Sequence, residues 1–148
     1  MGLLIDTAPV LIRQEGWPER FAEVVAQAQD RHYVLGEWDC LRFSCAAIEA
    51  ITGHDFWPRF AGYKTKRQAL VTIARIGPSL GEAVSEVLMQ SPMRPPASRR
   101  GDLLLYRCPL GEDHLGMCLG ARVAVLAATG LWQVPLTDHG LLASWRIG

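Results

Sequence analysis

The apolar residues of this chain change their spacing once, at the breaker SPMRPPAS over 91–98, and that change limits the folds open to it. Upstream, apolar residues recur at three and four positions. Pro18 opens one such run, with Phe21, Val24, Val25 and Ala28 on a single face. Cys40, Phe43, Ala47, Ile48 and Ile51 make a second, with Gly53 where a left-handed cap is wanted. Two more follow: Leu70, Ile73 and Ala74 between Thr65 and Gly77, then Val84, Val87 and Leu88 before the breaker. From Asp102 onward the apolar runs are short and divided by turn residues: DLLLY, LGMCLG, RVAVLAA, LWQVPL and LLASWRI. These read as four or five strands. Helices first and strands later predict an α+β fold, with N-terminal helices packed on a C-terminal antiparallel sheet. Neither half has an obvious core of its own, so residues 1–148 are expected to form a single domain.

Composition narrows the function classes. A 49% hydrophobic fraction excludes a disordered chain, and fifteen basic against fifteen acidic residues give no sign of a nucleic-acid surface or a polybasic membrane patch. The segment MGLLIDTAPVLIR has a short apolar run with no basic stretch before it. It fits neither a signal peptide nor a membrane anchor, so synthesis in the cytoplasm is expected. Cys40, Cys45, Cys108 and Cys118 contain no CxxC pair, and that compartment favours free thiols over disulfides. A zinc or iron–sulfur centre would need a helix and two strands to converge, and no metal site is expected.

Cys40 stands apart from the other three. A turn containing Gly36 leads directly into its helix, with Asp39 at the cap position, so the thiol falls at a helix start. Unpaired N–H groups and the positive end of the helix dipole favour thiolate there. A buried small hydrophobe is the competing reading, and it is the better one for Cys45 and Cys118, which sit inside apolar runs. His114, at the start of the strand EDHLGMCLG, is the partner that would set Cys40 apart: a cysteine at a helix start facing a histidine on the adjoining sheet allows imidazole to take the thiol proton. His32 and His54 flank helix ends and read as solvent-facing or capping, and the five tryptophans as core or rim, with Trp38 placed to wall a cleft beside the Asp-Cys pair.

The order YVLG, DC, RGDLLLY, HLGMCLG resembles the NlpC family of cell-wall cysteine peptidases, with Tyr33, Gly36, Asp39, Cys40, Gly101, Asp102, His114, Gly116 and Gly120 matching. The resemblance implies a papain-like NlpC-type fold, Cys40 as nucleophile and His114 as general base. It places Tyr33, Trp38 and Asp39 on the substrate side and calls for no cofactor. Its substrate class is the stem peptide of bacterial peptidoglycan. The phrases FAGYKT and RGDLLLY look like those of small relatives from phage and prophage tail modules, which implies a virion tail-tip protein. Such a protein is made in the host cytoplasm, assembles with other tail-tip or hub proteins, and acts in the periplasm or wall. Two departures stand out: Leu41 and Arg42 replace the small residues that follow the cysteine in the family, and the register from His114 puts Leu126 where a polar residue orients the imidazole. Thr129, Gln133 and His139 are the available substitutes, Gln133 the best of them by position. The departures also motivate an alternative, a structural or assembly protein of the tail tip whose chemistry has been lost.

Overall fold

The structure, a computed structural model, describes residues 8–148; the apolar run at 3–5 lies outside them. Four helices come first: α1 (Trp17–Asp30), α2 (Cys40–Thr52), α3 (Lys66–Ala74) and α4 (Leu80–Leu88). Five strands follow: β1 (Leu103–Arg107), β2 (Asp113–Cys118), β3 (Arg122–Ala127), β4 (Gly130–Pro135) and β5 (Leu141–Trp145). All pairings are antiparallel, in the order β4-β3-β2-β1-β5, so the first four strands form a meander and β5 returns to lie beside β1. The class is α+β, as the helix-then-strand pattern requires.

Helix starts follow local chemistry. Asp39, Thr65 and Ser79 each accept a hydrogen bond from the N–H three residues on, capping α2, α3 and α4. Gly53, at φ 78°, ends α2 in the left-handed conformation that side chains resist. The buried face of α2 (Phe43, Ala47, Ile48, Ile51) packs with Leu105, Leu115, Met117 and Trp145 in one cluster that also takes in Phe21 of α1 and Val84 of α4. Burial of a side chain such as Ile51 contributes on the order of 2 kcal/mol. Leu104, Cys118, Val123, Val125 and Leu141 form a second cluster on the other face of the sheet. Along β2, then, Leu115 and Met117 face the helices, and Gly116 and Cys118 face away.

The Gly-Asp phrase has a structural explanation. Asp102 is fully buried; Oδ1 accepts from Ile147 N at 3.0 Å and Arg13 Nη2 at 3.2 Å, while Oδ2 accepts from Arg99 N at 2.8 Å and lies 3.0 Å from Arg146 Nη1. One carboxylate thereby ties the segment before α1 to the start of β1 and the end of the chain. Helix α3 is the exception to the packing: it buries no residue fully, Ala69 alone of its side chains packing partly against the core cluster while Leu70 and Ile73 line a cleft.

Candidate active site

The head of α2 is held by a clamp centred on Asp39, which is 2% exposed. Its Oδ1 accepts the cap bond from Arg42 N at 2.8 Å; its Oδ2 accepts from Gly36 N at 2.8 Å and from the hydroxyl of Tyr63. Gly36 has φ 82°, and a Cβ there would come within 2.0 Å of the Tyr63 carbonyl oxygen, so only glycine lets the YVLG turn lie against the Tyr63 backbone. The carboxylate expected on the substrate side is thus fully engaged in positioning the next residue, Cys40.

Cys40 is half-buried, and main-chain N–H groups of Leu115, Leu41 and Cys40 itself act on its sulfur. The Leu115 amide is free to do so for a topological reason. The bonds Cys118 N to Asp102 O and Cys108 N to Glu112 O make the even-numbered positions of β2 the ones bonded to β1, so Leu115 N–H points the other way. On that side pairing with β3 begins only at Gly116↔Val125, leaving the amide at an open stretch of strand edge.

His114 precedes that amide, stands opposite Tyr106 in β1, and lines the same cleft as Cys40. No hydrogen bond joins the two side chains among the described residues. Burial pushes the Cys40 thiol up to about 11; the Leu115 amide opposes the rise and the Asp39 carboxylate adds to it. The helix-start position was expected to favour thiolate, and here desolvation outweighs it. Tyr33 also lines the cleft, its hydroxyl held neutral with a pKa raised to about 12, first by burial and then by Cys40, Asp39 and Glu112.

Two expected site residues lie elsewhere. Gln133 is exposed on edge strand β4, paired with Ala124, two strands away from β2. Trp38 is 3% exposed, set edge-on to Phe43 in the core with the Arg31 guanidinium 4.3 Å over its ring, and does not wall the cleft. Thr129 and His139 are exposed as well, and Thr129 accepts from the Trp132 indole at 2.8 Å. Continuing the β2–β3 register puts Ala127, not Leu126, across from His114, and Leu126 is buried in the core. Asp113, the residue before His114, is held by Arg107 at 2.7 and 3.2 Å.

Sequence reading missed Tyr63, Lys66 and Glu112, all of which line the cleft. Lys66 Nζ and Glu112 Oε1 meet at 3.2 Å, joining the start of α3 to the β1–β2 turn. Tyr63 lies in the FAGYKT phrase, Lys66 just after it and Glu112 two residues before His114, and no periodicity marks any of the three.

Among the described residues, no three His, Cys, Asp or Glu side chains are grouped to hold a metal ion, and no helix is long and apolar enough to cross a membrane. Fold and cleft together define an α+β protein that gathers a helix-head thiol, an imidazole-bearing strand and a neutral tyrosine. The chain belongs to the DUF6950 family, described as a domain of unknown function, which it matches over residues 12–147. No curated protein matches it.

Proposed function

We propose that the protein is a cysteine peptidase or amidase of papain-like NlpC type, acting on peptidoglycan stem peptides from the tail tip of a phage-type particle. The observation that carries the reading is the sulfur of Cys40 set among main-chain N–H groups at the head of α2, in a cleft that His114 also lines. In the reaction His114 takes the thiol proton, Cys40 Sγ adds to the substrate carbonyl, and the same amides meet the oxyanion. The proton then passes to the leaving amine, and water hydrolyses the thioester. The tail-tip setting, with its neighbouring hub proteins and its action in the periplasm or wall, rests on the resemblance of the YVLG, DC, RGDLLLY and HLGMCLG phrases.

A specific observation favours a second reading, a tail-tip assembly protein without chemistry. The Cys40 thiol is protonated at neutral pH and carries no hydrogen bond from His114. Purified protein incubated with wall sacculi separates the two. Release of muropeptides that is lost in Cys40→Ala and His114→Ala supports the peptidase; no release by folded wild-type protein at any pH supports the assembly protein.

A further inference from the structure

The cleft at Cys40 has a chemical character of its own. Its apolar side is formed by Leu35, Leu41, Ala69, Leu70, Ile73 and Leu80, around a space of about 260 Å³. It continues past Leu70, Ile73 and Leu80 into an adjoining groove of about 380 Å³. Leu70 is 58% exposed although it stands on the apolar side of α3, and α3 buries no residue fully against the core. That side of the helix is therefore left facing the space beside the thiol.

The charged groups around this space are already matched. Asp39 is engaged by Tyr63 and two amides, Glu112 pairs with Lys66 at 3.2 Å, and Asp113 pairs with Arg107 at 2.7 Å. A charged ligand group seated deep in the cleft would lose water and find Asp39 already engaged, while the Lys66–Glu112 pair, 72% and 51% exposed, is screened by solvent and would hold such a group only weakly.

We propose that the group seated beside the carbonyl attacked by Cys40 is uncharged and aliphatic, held against the Leu70–Ile73 side of α3. In a wall peptide this favours an alanine-like side chain over a carboxylate or diamino acid at that position. The inference rests on Cys40 as the nucleophile.

The test uses p-nitrophenyl acetate, butyrate and hexanoate, with the p-nitrophenyl monoester of glutaric acid as the charged comparison, on full-length protein carrying Cys108→Ser to silence the other half-exposed thiol. In each case an Sγ–acyl bond forms as the carbonyl–oxygen bond to p-nitrophenolate breaks, the thiol proton goes to His114 or solvent, and the coloured leaving group is counted. Each methylene buried is expected to raise the acylation rate about twofold to fourfold, so hexanoate should exceed acetate at least tenfold. The glutarate ester should be no faster than acetate. Leu70→Ser with Ile73→Ser should pull the hexanoate-to-acetate ratio toward one; both side chains lie on a helix with no buried residue, and circular dichroism checks that the fold survives. Cys40-dependent acylation with no chain-length preference, or with the glutarate ester preferred, overturns the inference and leaves the nucleophile standing. Acylation that persists unchanged in Cys40→Ala, or occurs with no ester, removes the nucleophile and the inference together.

Discussion

Replacing Asp39 separates two roles that its carboxylate combines. Asp39→Ala removes the cap of α2, at about 1 kcal/mol, and leaves the Tyr63 hydroxyl and the Gly36 amide without an acceptor in a buried site. A buried unsatisfied group costs about 1–3 kcal/mol, so the three losses together come to about 3–7 kcal/mol. Asp39→Asn keeps the cap but puts an amide N–H2 where Oδ2 stood; the Tyr63 hydroxyl can turn to accept from it, and only the Gly36 amide loses its acceptor, at about 1–3 kcal/mol. The charge, however, disappears in both. Asp39 is one of the causes that raise the Cys40 thiol, after burial, so the asparagine variant should titrate below the wild-type value of about 11. Urea unfolding gives the first quantity; the pH dependence of iodoacetamide alkylation at Cys40, followed by peptide mass, gives the second. The expected signature is a large stability loss for alanine, a smaller one for asparagine, and a thiol that alkylates at lower pH in the asparagine variant. A thiol unmoved or raised in Asp39→Asn, or an alanine variant as stable as wild type, would refute the clamp.

Asp102→Ala should cost about 3–5 kcal/mol in urea unfolding, because it strips the carboxylate from two arginines and two main-chain amides at a fully buried position; a loss under about 1 kcal/mol would contradict the account of the Gly-Asp phrase. Gly36→Ala should destabilise far more than Gly53→Ala in the same assay: both glycines have positive φ, but only at Gly36 does the added Cβ strike backbone. Gln133→Ala, on an exposed edge strand, should change stability by less than about 0.5 kcal/mol in the same assay. Thiols of Cys40 and Cys45, with pKa values near 11 and 12 against an ordinary 9.0, bind protons more tightly folded than unfolded. Their contribution to stability is complete below pH 9 and fades as pH rises through 11 to 12, which thermal melts across that window will register.

Several elements were legible because short-range physics decides them. Asp39 caps and Gly53 terminates α2 through bonds within a few residues, and the apolar spacing between them fixes which side of the helix is buried. The turn-divided runs after Asp102 read as four or five strands and five form, the first four a meander joined by short connections. The exact neighbours of Cys40 were not legible, since each arrives from far along the chain. Tyr63 reaches Asp39 across 24 residues, and the Leu115 amide is available only because β3 begins pairing one residue later. Helix α3 carries the same periodicity as α2, and nothing local says that its apolar side faces a cleft. Gln133 suited the imidazole by its position after His114, but the sheet order puts it on an exposed edge two strands from β2. Local propensity and capping set where the chain is helical and where it is extended. Burial, the open edge of β2 and the engaged carboxylate of Asp39 decide what the thiol at the head of α2 can do, because desolvation and hydrogen-bond partners exist only once distant segments have met.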